Sequence, residues 1–202
     1  MYCLRKGLIT LFLLMVISSV FSCSGYKKLS AEYKDESKLI TYVNPDKPYT
    51  YWEFDWGIGR HSKIMYSSGK KPESINFIIP GSSKLFQGCA PGFCYKYIAY
   101  VYNGKVGYVT TVKEFKDFLG DIDNLQEAVL LAKATSEYQV DDNIKGGAYR
   151  IQADTIYKLR LTKPFGCPDT KKTFYLKIEK NKGIVDTATL ATFYKGTGCE
   201  IY

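Results

Sequence analysis

Two carboxylates stand two residues apart in the stretch Tyr51-Trp52-Glu53-Phe54-Asp55-Trp56. On a strand such a pair shares one face, with Cβ atoms about 6–7 Å apart. Glycoside hydrolysis works with two carboxyl groups roughly 5–9.5 Å apart, and neighbouring aromatic rings suit sugars. Those acids must sit in a cleft that drives their pKa values apart. The alternation itself describes something plainer, a half-buried strand with Trp52, Phe54 and Trp56 inward and Tyr51, Glu53 and Asp55 toward solvent. Glu53 and Asp55 are therefore the candidate catalytic pair of a glycan-cleaving hydrolase, weighed against a solvated strand face. Tyr51, Trp52 and Trp56 are the candidate ligand-binding aromatics.

Other constellations are weaker. His61 is the sole histidine, and beside Arg60 and Ser62 it reads as a solvated loop residue. No Gly-x-Ser-x-Gly elbow is present, and "GIGR" lacks the length and Lys-Ser/Thr ending of a phosphate loop. Zinc sites favour two close Cys/His pairs, whereas only Cys89 and Cys94 lie close together, so neither metal nor cofactor is expected.

The elements that must carry these residues follow from local patterning. "YTYWEFDW" and "SINFIIP" (74–80) read as strands. "YKYIAYVYNGKVGYVT" reads as a hairpin turning at Asn103-Gly104, both tolerant of positive φ; Val101 then faces Val106, and the Tyr100 ring covers Gly107. Thr111-x-x-Glu114 is a capping box opening a helix with Phe115, Phe118 and Leu119 on one stripe and Gly120 as its stop. Asp123-x-x-Gln126 opens a second helix through Leu125, Ala128, Val129 and Ala132. Strands follow in "AYRIQADTIYKLRLT", as one bent strand or two, then in "TFYLKIEK" and "IVDTATLATFY", the last two joined at Asn181-Lys182-Gly183. Strands, two helices, then strands predict an α+β domain: an antiparallel sheet of about 5–7 strands with two consecutive helices on one face.

Within that frame two disulfides are expected. Cys89 and Cys94 flank Ala-Pro-Gly-Phe, a turn that returns the chain on itself. Pairing 173–180 with 184–194 makes opposed residue numbers sum to about 364, which sets Cys167 within two positions of Cys199. Closing that loop of about 30 residues stabilises by roughly 3 kcal/mol on the chain-entropy argument.

The N-terminus reports the compartment. Arg5 and Lys6 precede a run from Leu8 to Phe21 that is apolar except for Thr10, Ser18 and Ser19. Fourteen residues are too few to span a ~30 Å hydrocarbon core and suit the apolar region of an export signal. The run ends in Val20-Phe21-Ser22-Cys23, which resembles the lipobox of bacterial lipoproteins, with Phe21 departing from the commoner small residue. The resemblance covers residues 1 to about 25. It implies cleavage before Cys23, a diacylglycerol on its thiol and acylation of the new amine. Two or more acyl chains anchor stably where one is marginal. Cysteine parity agrees: with Cys3 lost and Cys23 lipidated, four of the six cysteines remain to pair.

The expected organisation is thus a signal peptide at 1–22, a lipidated cysteine with a polar tether at 23–47, and a single α+β domain at 48–202. Losing the leader lowers the net charge from +8 to +6; the lysines are scattered, so the charge fits a surface beside an anionic membrane, and no nucleic-acid partner is expected. The leader, the lipobox and the Tyr/Lys-rich composition are similar to small lipoproteins of the Bacteroidetes type. In that family Ser24 after the cysteine implies outer-membrane sorting, and the non-acidic Ser24-Gly25-Tyr26-Lys27-Lys28 implies the periplasmic leaflet. The expected function is interaction with an envelope protein or a glycan, without catalysis; the alternative is hydrolysis by Glu53 and Asp55.

Overall fold

The computed structural model describes residues 25–58, 61–86, 94–165 and 169–197. The leader, Cys23, Cys89, Cys167 and Cys199 lie outside these. The described chain forms two antiparallel sheets where a single one was expected. The first orders its strands β3-β2-β4-β5: β2 Tyr51–Ile58, β3 His61–Gly69, β4 Cys94–Tyr102 and β5 Lys105–Val109. The second runs β1-β6-β7-β8-β9: β1 Lys27–Lys28, β6 Gly147–Gln152, β7 Ile156–Phe165, β8 Thr170–Glu179 and β9 Gly183–Lys195. Hydrophobic alternation fixes which way side chains point along a strand but not which sheet the strand joins, so the partition was invisible in the pattern.

The hairpin forms as its turn chemistry dictates. Asn103 and Gly104 take φ of 49° and 73°, Val101 opposes Val106, and Tyr100 opposes Gly107. A Cβ on Gly107 would collide with the Tyr100 ring, so the ring occupies the space a side chain would need. "SINFIIP" does not form a strand; it crosses the sheet as irregular chain, with Phe77 stacked on Tyr51 at 6.1 Å and the Ile78 N–H donating to the Tyr108 hydroxyl at 2.9 Å. The edge strand β3 escaped the sequence reading because its outer residues are polar or exposed.

Helix α2 (Val112–Leu119) carries the full capping box at Thr111 and Glu114, and ends at Gly120 with φ 67°. Its Phe118 packs on Trp52 at 5.4 Å. Helix α3 (Leu125–Thr135) starts one residue later than the pattern suggested, capped by Asn124, whose side chain accepts from the Glu127 N–H. Nine of its eleven residues are buried, the mark of an interior helix, and it reaches β7 and β9 of the five-stranded sheet.

The polar tether expected over 24–47 is corrected. Leu29, Tyr33, Leu39, Ile40 and Val43 are all buried in the common core, β1 pairs with β6, and α1 (Glu36–Leu39) is capped by Asp35. Glu127, fully buried, accepts the Asn44 and Asp123 backbone N–H groups at 2.9 and 2.7 Å, which fastens this segment to α3. The apolar residues escape a periodicity search because they sit on short 3₁₀ and α turns (31–42) rather than on one continuous helix. The folded domain starts near residue 27, not 48.

Strand β9 is a long sheet edge with three register shifts against β8, where Val185, Leu190 and Phe193 are skipped in the pairing. Such bulges twist an edge away from further pairing, and they explain why Val185 and Leu190 are exposed apolar residues.

Candidate functional site

The carboxylate pair lies where β2 crosses the middle of its sheet. Tyr51, Glu53 and Asp55 share one face as the alternation requires, but that face is not open to solvent. Glu53 is 4 % exposed and Asp55 1 %, because Lys71 and Phe77 of the irregular crossing, together with Tyr97, lie over them. The Tyr51 hydroxyl donates to Glu53 at 2.6 Å, and the Lys71 ammonium stands 3.4 Å from the same oxygen. Asp55 receives no hydrogen-bond donor at either oxygen among the described residues.

Burial pushes the Asp55 carboxyl up to about 7; the adjacent Glu53 charge adds to this, and Lys71 opposes it. The desolvated hydroxyls of Tyr51 and Tyr97 are each pushed up to about 12. The solvated-face reading is overturned. The hydrolase alternative finds no cleft at this pair, since both carboxyls are buried and neither lines any of the clefts described below.

The opposite face of β2 carries the accessible aromatic. Trp52 is 4 % exposed and Tyr51 5 %, so these two ring candidates are core residues rather than a platform. Trp56 is half-buried and lines a cleft of about 230 Å³ with Phe54, Met65, Asp35, Ser37 and Lys96. Met65 reaches it through a bulge: Phe54 pairs with Tyr66 and Asp55 with Ile64, leaving Met65 unpaired on the edge strand. Re-aiming a side chain is a usual consequence of a bulge beside a site. The Trp56 indole N–H meets no acceptor among the described residues.

Behind this cleft stands a charged network absent from the sequence reading. Glu36 bonds Lys133 at 2.7 Å and Lys96 at 3.0 Å, and Lys133 also donates to the Lys34 carbonyl at 2.9 Å. Burial raises the Glu36 carboxyl, but the two ammonium groups outweigh it and hold it below the usual range. A signal was present: Lys133 is the one cation in the apolar turn "VLLAKA" of α3, and a buried lysine requires a partner.

His61 is exposed at the start of β3. Among the described residues no group of three His, Cys, Asp or Glu side chains is arranged to hold a metal ion. Cys94, the one described cysteine, opens β4 opposite Ile58 and is disulfide-bonded; Cys89, its expected partner, lies outside the described residues, as does the Cys167–Cys199 pair. The strands leading to that pair do run together, with Thr170 opposite Lys195 and the Gly196 N–H donating to the Asp169 carbonyl at 2.6 Å. No described helix is long and apolar enough to cross a membrane. Compared with family models, with curated proteins and with solved structures, the chain matches none.

Proposed function

We propose that this chain is a lipid-anchored protein of the cell envelope, held by Cys23 in the periplasmic leaflet of the outer membrane, and that its domain works by binding a glycan. The Trp56 cleft carries the reading. A half-buried indole beside Met65 and Phe54, rimmed by Asp35, Ser37 and Lys96, offers one apolar platform and several hydrogen-bonding groups, the balance that sugar rings need. With β1 starting at Lys27, only three residues separate Cys23 from the fold, so the anchor holds the domain against the headgroups and exposed Lys27 and Lys28 face anionic lipid.

Titrating the soluble domain with purified cell-wall glycan fragments and with envelope polysaccharide tests the cleft, read by tryptophan fluorescence. Binding is expected to quench the Trp56 component and to vanish in Trp56→Ala, with Glu53→Gln unaffected. Binding that survives Trp56→Ala moves the site elsewhere, and no binding of any fragment ends the glycan reading. The anchor is tested by labelling cells with an alkyne fatty acid. Label and membrane retention are expected to disappear in Cys23→Ala; an unlabelled, soluble wild type refutes the lipoprotein assignment.

A further inference from the structure

Beside the Trp56 cleft, and sharing the Glu36–Lys96 pair with it, lies a second, more polar cavity of about 390 Å³, lined among others by Glu36, Lys96, Lys133, Ser136, Glu137 and Tyr138. Ser136 caps the C-terminus of α3 in extended conformation, with φ −164°, and it is half-buried. The Lys163 ammonium on β7 reaches its hydroxyl oxygen at 2.5 Å. Lys163 makes no ion pair with a carboxylate within 4 Å among the described residues, unlike Lys96 and Lys133. Its nitrogen is instead held over the Tyr138 and Phe174 rings at 4.2 and 5.2 Å.

We propose that Ser136 and Lys163 form a nucleophile–base pair that hydrolyses carboxylic esters bound in this cavity. This goes beyond glycan binding and uses a different cavity. Neutral Lys163 takes the Ser136 hydroxyl proton as the oxygen attacks the ester carbonyl carbon, forming a C–O bond and a tetrahedral oxyanion. Lys96 and Lys133 line the same cavity with their shared partner Glu36, and the one net positive charge of this trio favours that oxygen. Collapse breaks the bond to the alcohol, which leaves with the proton from Lys163. Water, deprotonated in turn by Lys163, attacks the acyl-serine, releasing the carboxylic acid and restoring Ser136. The roles are those of the serine–lysine variants of the hydrolytic triad.

A serine-directed base has to be uncharged when it acts. Desolvation lowers the Lys163 ammonium below its ordinary value, against an opposing pull from Glu137. The Tyr138 and Phe174 faces also favour the cation, so the neutral fraction grows only as pH rises, and the activity with it.

The test is covalent labelling of purified protein by a biotinylated fluorophosphonate from pH 7 to 10, with the modified peptide identified by mass spectrometry, beside hydrolysis of p-nitrophenyl butyrate. Label on Ser136, rising with pH to a plateau, is expected. Ser136→Ala should lose it, and Lys163→Arg should lose it by about 100-fold or more, because arginine keeps the cation and the hydrogen bond but stays protonated. Thermal melting of each variant separates lost chemistry from lost fold. Equal labelling of Lys163→Arg, label on another residue, or no label in a folded wild type at any of these pH values overturns the proposal.

Discussion

Glu36 and Asp55 lie on opposite sides of the four-stranded sheet and answer desolvation in opposite ways. Glu36 keeps 23 % of its side chain exposed, yet two lysine ammonium groups reach it and its carboxyl is held low. Asp55 is almost fully buried, the Glu53 charge adds to its desolvation, Lys71 stands 3.4 Å from Glu53 and only partly opposes this, and its carboxyl is pushed up to about 7. Burial acts upward on both. What differs is the partner: a cation completes the first site and leaves it ionised, while a proton must complete the second. Glu127 is a third solution, buried with no cation bonded to it among the described residues and satisfied by backbone N–H groups.

The comparison breaks most sharply at Glu36. Glu36→Ala leaves Lys133, with 7 % of its side chain exposed, as a buried cation whose remaining partner among the described residues is the Lys34 carbonyl. Removing one partner of a buried ion pair destabilises by about 3–5 kcal/mol, and equilibrium denaturation at pH 7 should show a loss in that range. Glu36→Gln, which still accepts hydrogen bonds, should fall between this variant and the wild type. A loss under about 0.5 kcal/mol in Glu36→Ala, the level of an ordinary surface substitution, would mean that water already screens both lysines.

How much of this was legible follows from the range over which each signal acts. The Asn103-Gly104 turn and its Tyr100–Gly107 pairing were readable because positive φ at two adjacent positions is a local demand. The Thr111–Glu114 box was readable for the same reason. The shared face of Tyr51, Glu53 and Asp55 followed from strand alternation, but its cover did not: Phe77 comes from an apolar run that suggested another strand, and Lys71 from just before it. Met65 was hidden because a bulge moves one residue out of the alternation that a pattern search assumes. Glu36 and Lys96, 60 residues apart, meet only through the fold. The expected tether failed where buried residues sit on short turns, too brief to show a period.

The finer test lies at Asp55. An unfolded aspartate releases its proton near 3.8, whereas folded Asp55 holds it to about 7. Between those values the folded state binds the extra proton, so this group favours folding below about pH 4 and its contribution is lost as pH rises to about 7. Asp55→Asn fixes a hydrogen-bond donor beside Glu53 at every pH. The variant should therefore gain stability over wild type through that window, by about 4 kcal/mol at pH 8, with little difference at pH 4. The difference between the two stability curves isolates Asp55 from the acids held low elsewhere, such as Glu36 and Asp141, whose contributions are lost toward acid pH in both proteins. A constant offset across pH would show that Asp55 is not the proton carrier. A gain that builds between pH 4 and 7 and stays flat beyond identifies Asp55 as the group that takes up the proton, with Lys71, 3.4 Å from Glu53, too weakly placed to keep it ionised.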